Sequence, residues 1–64
     1  MITQYLYNMD KHMLARVLNG MVERCHPSTY EIDSEHDKLR FSCDNDAVNF
    51  MINKGYVIIR IIND

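Results

Sequence analysis

The sequence predicts a two-layer α+β domain in the ferredoxin-like order β-α-β-β-α-β, with two helices on one face of an antiparallel sheet. Three observations carry that expectation. Residues 13–25 repeat apolar side chains at spacings of three and four, residues 29–33 and 38–43 alternate apolar with polar, and residues 56–62 are apolar at every position but Arg60.

The first segment, Ile2-Thr3-Gln4-Tyr5-Leu6-Tyr7, is rich in strand-favouring residues and reads as a first strand. Ile2, Tyr5, Leu6, Met9 and Met13 also fit helical spacing. Merging the segment with the helix expected after it gives the alternative order α-β-β-α-β with a three-stranded sheet. Met13, Leu14, Val17, Leu18, Met21, Val22 and Cys25 form one broad stripe that predicts a helix between Asp10 and Cys25. Lys11, Arg16, Asn19, Glu23 and Arg24 take its opposite side. Asn8 or Asp10 is the expected N-cap, and Pro27 stops the helix. Gly20 then sits inside it at a cost of roughly 1 kcal/mol relative to alanine.

A hairpin is expected next. Tyr30 and Ile32 point inward from its first strand, and Leu39, Phe41 and Cys43 from its second, with Ser34-Glu35-His36-Asp37 as the polar connection. A second helix comes after it, capped by Asp44 and favoured by Asp46 near its positive end. Its inner side is Ala47, Val48, Phe50, Met51 and Ile52, and Gly55 ends it. The strand 56–62 closes the order.

Sixty-four residues form a single domain, 1–64, that buries only about 60% of the surface its unfolded chain exposes. Chains of this size are marginal without a supplement such as disulfides, a metal or oligomerisation. Cys25 and Cys43 are too few for a disulfide scaffold and suit a reducing compartment. The N-terminus lacks the succession of a signal peptide, and no apolar run reaches the ~20 residues that span a bilayer. The expected location is cytoplasmic, with no membrane association. Oligomerisation is the expected supplement. Abundant Ile, Asn, Met and Tyr suit an accessory gene of a bacterium or phage.

Net charge is −2, which argues against binding dominated by phosphate contacts. The negative charge is concentrated. Residues 31–46 carry six acids against Lys38 and Arg40, while the stretches on either side are each +1.

The residue types give little ground for catalysis. Cys25, His26, His36 and Cys43 are metal-ligand types, but no Cys-x-x-Cys or His-x₃₋₅-His spacing joins them. Both cysteines fall on apolar faces, where the thiol packs as a small hydrophobe. Nothing orients His12, His26 or His36 as a base. The only glycines, Gly20 and Gly55, form no phosphate loop. The expectation is therefore a non-catalytic chain with no cofactor and no metal.

Two surfaces invite a macromolecular partner. A strand apolar on both faces exceeds what one small core can cover, so Tyr56, Ile58, Arg60 and Ile62 are the candidate protein contacts. They would act in a homodimer or against another protein, as a regulator, inhibitor or adaptor. Glu31, Asp33, Glu35 and Asp37 form a candidate electrostatic contact on the outer side of the hairpin. The runner-up is a nucleic-acid-binding, RNA-type module in which Tyr5, Tyr7 and Tyr56 share an open face for base stacking.

Overall fold

A computed structural model describes residues 1–32 and 38–64 of the chain. Its strands are β1 (Ile2–Asn8), β2 (Met13–Leu18), β3 (Met21–Cys25), β4 (Leu39–Arg40) and β5 (Val57–Asn63). One helix, α1 (Asp44–Asn53), separates β4 from β5. The sheet order is β4-β3-β2-β1-β5, antiparallel throughout. The first four strands form a meander, and α1 carries the chain back so that β5 pairs with β1. A five-stranded antiparallel sheet with a single short helix among the described residues replaces both expected orders.

The expected helix at 10–25 is a β-hairpin. Leu18 pairs with Met21, so Asn19 and Gly20 alone make the turn. Their φ angles are 51° and 75°. Positive φ at both central residues is what a type I′ turn requires, and Asn-Gly is its preferred sequence because that twist matches the flanking strands. The misleading helical stripe has a simple origin. The neighbours Met13/Leu14, Val17/Leu18 and Met21/Val22 recur every four residues, close to one helical turn but also twice the strand period. In strands each pair sends one side chain to either face.

Gly20 is fixed from two sides. Its N–H donates to Asp44 Oδ1 at 2.6 Å, and its C=O accepts the Phe41 N–H at 2.7 Å. A Cβ there would lie 2.5 Å from the Phe41 carbonyl oxygen. Asp44 is accordingly the first residue of α1 and a tie to the turn, whereas the capping position belongs to Cys43, whose side chain makes no cap hydrogen bond. Asp46 sits in the positive first turn as expected, and Asp44 joins it there instead of capping it.

The other end of α1 is held by Asn8, which is buried at the end of β1. Its Nδ2 donates to the Lys54 carbonyl at 3.2 Å, and its Oδ1 accepts the Lys11 N–H at 3.0 Å within the β1–β2 loop. Gly55, at φ 96°, comes just after the helix as expected.

Directly paired residues of a ladder share a face. On the α1 side, Leu6, Ala15, Val17 and Val22 pack with Ala47, Val48, Met51 and Tyr56, and Met13 and Phe41 close the margins. Phe50 and Ile52, expected inside, are exposed, as are Leu39 and Cys43 of the expected second hairpin strand. That hairpin is reduced among the described residues to the two-residue β4 against β3 and a Cys25–Ile32 bridge. The expected polar connection, and the acids Asp33, Glu35 and Asp37, lie outside the described residues.

The opposite face carries Leu14 and Cys25, both buried, and an ion pair between the cross-strand neighbours Arg16 and Glu23. Arg16 Nη2 lies 2.5 Å from Glu23 Oε1, and Lys38 Nζ lies 3.1 Å from Oε2. The hydrogen bond from Arg16 holds the Glu23 carboxyl below its ordinary range, against the opposing effect of burial, with Lys38 adding to the shift. Tyr30 reaches this face and meets Tyr5 edge-on, ring centroids 5.2 Å apart.

Two measurements check this framework. Gly20→Ala should lower stability by about 2 kcal/mol or more in thermal or urea unfolding, since it combines positive-φ strain with a backbone clash. Asn19→Gly should change stability by only a few tenths, because that site needs positive φ and no side-chain contact. The Glu23 carboxyl, depressed in the folded state, contributes stability that is present above its unfolded value of about 4.5 and lost as pH falls through the folded value. Glu23→Gln should cost about 1–3 kcal/mol at pH 7. The gap between variant and parent melting temperatures should then narrow as pH falls below 4.5.

Candidate functional site

β5 is an edge strand, hydrogen-bonded to β1 on one side only. Its composition suits a strand, because β-branched side chains pack well on a pleated surface. Its burial does not match that composition. Val57, Ile58, Ile59 and Ile61 are all exposed, and Ile62 is half-buried.

The regular alternation expected over 56–62 is broken by a β-bulge. Tyr5 pairs with Arg60 and Leu6 with Ile58, leaving Ile59 as an extra residue on β5. Residues on either side of the bulge therefore change faces relative to a simple two-residue repeat. Tyr56 and Ile58 lie on the α1 side, with Ile58 opposite Leu6, whereas Arg60 and Ile62 lie on the other side, opposite Tyr5 and Thr3. The four residues expected to share one face are thus two pairs on two faces.

Their surroundings differ as well. Tyr56 belongs to the core and is only 8% exposed, wedged beside Met51 by the hydrogen bond from its own N–H to the Met51 carbonyl at 3.1 Å. Arg60 is exposed on the face that carries Tyr5. Ile58 is 41% exposed, and Ile61, opposite Gln4, is 59% exposed.

The surface that results is one the alternation rule alone could not locate. α1 packs chiefly on β2 and β3 and reaches β1 at Leu6, so on its own sheet face it leaves β5 and the Ile2 end of β1 uncovered. Ile58 and Ile61 of β5 and Ile2 of β1 stand there, joined only by the uncharged Gln4 and Asn63. Ile59 continues the apolar surface to the strand edge. The signal for Ile2 and Ile61 was present in their residue type. Their face depends on the bulge and on where the helix lies.

Other candidate groups are dispersed. Glu31 is exposed, its carbonyl accepting the His26 N–H at 2.8 Å, while its three expected acidic companions lie outside the described residues. The three tyrosines expected to stack bases do not share a face: Tyr5 and Tyr7 oppose Arg16 and Leu14 on the far side of the sheet, and Tyr56 is in the α1-side core. Burial pushes the Cys25 thiol up, with Arg16 only partly opposing, which disfavours a thiolate. His12 Nδ1 lies 3.1 Å from the Tyr7 hydroxyl in the β1–β2 loop, and His26 Nδ1 meets the Ser28 hydroxyl at 2.9 Å. Among the described residues no three His, Cys, Asp or Glu side chains gather as metal ligands. No helix among them is long and apolar enough to cross a membrane. Comparison with family models, curated proteins and solved structures finds no match to this chain.

Proposed function

We propose that this chain is a small non-catalytic protein-binding module, a regulator, inhibitor or adaptor, that self-associates through the apolar surface of β5. The observation that carries the reading is the exposure of Ile2, Ile58 and Ile61 on the part of the sheet face that α1 does not cover. Burying such side chains is worth about 1.5–3 kcal/mol each, relative to leaving them in water. A domain of 64 residues has little stability to spare, so covering this surface is favourable beyond any specific recognition.

The occupant is a second copy of the chain. A surface without charge among Ile2, Gln4, Ile58, Ile61 and Asn63 is complementary to itself, which is what a two-fold interface needs. Two features favour face-to-face packing over extension of the sheet. The bulge at Ile59 and the charge of Arg60 are both devices that blunt a strand edge against backbone pairing. A standard interface takes roughly 800 Å² from each partner. Against a total surface of 4490 Å², that demands much of this side of the molecule, so Ile59 at the strand edge belongs to the contact as well. Both cysteines are free, which supports a reducing compartment such as the cytoplasm.

Sedimentation equilibrium over about 5–200 μM protein tests the reading, the range being that in which weak dimers dissociate. The parent chain should sediment as a dimer at the upper end. Ile58→Lys and Ile61→Lys should each shift the equilibrium to monomer by tenfold or more, on the order of 1.4 kcal/mol, while keeping the parent circular dichroism. A parent chain that stays monomeric throughout, or a folded Ile58→Lys variant with an unchanged dimer, would overturn it.

A further inference from the structure

We propose that a second site, a groove between α1 and the β3 side of the sheet, binds a small amphipathic acid, with an aliphatic or aromatic body and one carboxylate. The groove has a volume of about 510 Å³. That is within the size range of small-molecule sites. It lies apart from the β5 surface and does not rest on the self-association reading.

Its charge is one-sided. Lys11 from the β1–β2 loop, Arg24 from β3 and Lys54 just after α1 all line it, and no carboxylate does so among the described residues. In a chain of net charge −2, three cations around one concavity are not a reflection of composition. Topology gathers them: Arg24 pairs with Ala15, which puts it on the α1 face, and the helix ends over the loop that carries Lys11.

The walls between the cations are apolar. Met13, Met51 and Tyr56 supply buried or half-buried surface, and Phe50 stands at the rim with the Lys54 ammonium 5.3 Å from its ring centroid. That cation–π contact holds Lys54 beside the groove. Methionine side chains adapt to irregular apolar ligands. An apolar body against these walls with an acid group toward the three cations satisfies both halves of the lining.

The end of a helix opposes an anion, because its free carbonyls carry partial negative charge. Here two of those carbonyls, and the one just past the helix, are occupied. Met51 O accepts the Lys54 and Tyr56 N–H groups, Ile52 O accepts that of Gly55, and Lys54 O accepts Asn8 Nδ2. The opposing field at the groove is therefore weakened while the Lys54 charge remains. A nucleic-acid backbone would call for a longer track of cations than these three supply, so one anionic group is the better match.

Titration of the ¹⁵N-labelled chain with decanoate and, separately, with decanol tests the proposal. Decanoate should bind saturably, with shifts centred on Met13, Met51 and Lys54–Tyr56, and about tenfold more tightly than decanol, which has the body without the charge. Arg24→Glu and Lys54→Met should each weaken decanoate by about tenfold, leave decanol unchanged and retain the dispersion of a folded spectrum. Lys54→Arg should preserve binding. Decanoate binding should also survive in Ile58→Lys, which separates this site from the β5 surface. Equal affinity for acid and alcohol, shifts confined to Ile58 and Ile61, or no saturable decanoate binding would overturn it.

Discussion

Gly20 gives its N–H to the Asp44 carboxylate and takes the Phe41 N–H on its carbonyl, so the turn between β2 and β3 is fastened to the first residue of α1. Asn8 makes the matching connection at the other end, from the β1–β2 loop to the carbonyl just past the helix. A ten-residue helix is about 15 Å long, comparable to the six-residue β2 whose two turns hold its ends. These two polar ties set where the helix can lie. They are short and directional, and the space beside Gly20 is closed to any side chain.

A helix fixed along β2 cannot also shield β5. The core follows from that constraint: Leu6, Val17, Val22, Ala47, Val48 and Met51 are enclosed between α1 and the central strands, and the apolar side chains beyond β1 are not. On the reverse of the sheet a different solution holds. There Leu14 and Cys25 share space with the Arg16–Glu23–Lys38 cluster, and Tyr30 lies against Tyr5. Two faces of one small sheet are thus closed by unlike means, one by packed hydrocarbon and the other by a charged cluster and an aromatic contact.

The parts of this architecture that could be read from the chain were those with strong local chemistry. β1 was legible from Thr3, Tyr5 and Tyr7, α1 from Asp44, Asp46 and Gly55, and β5 from its isoleucines. Structure and local pattern part most widely over residues 10–25. There an apolar repeat of four suits helix and strand alike, and the Asn19-Gly20 pair was the signal that decides between them. Gly20, which a helix would merely tolerate in its interior, is the turn itself. β5 illustrates a different limit. Its apolar excess was visible, but the bulge at Ile59 redistributes Ile58, Arg60 and Ile62 between faces, and only pairing with β1 reveals that. Arg24 and Lys54 are thirty positions apart in the chain, so nothing local indicated that they line one groove.

The pairing of β1 with β5 joins the two extremes of the sequence, with Ile2 opposite Asn63. Loops of that span are entropically slow to close, whereas β1–β2 and β2–β3 join neighbours across short turns. Of the strand pairings, β1–β5 is therefore the one with the largest loop to close. Until β5 docks, β1 is itself an open edge and the isoleucine-rich tail is unpaired. The same strand that completes the sheet is consequently the segment whose delay would favour intermolecular aggregation during folding.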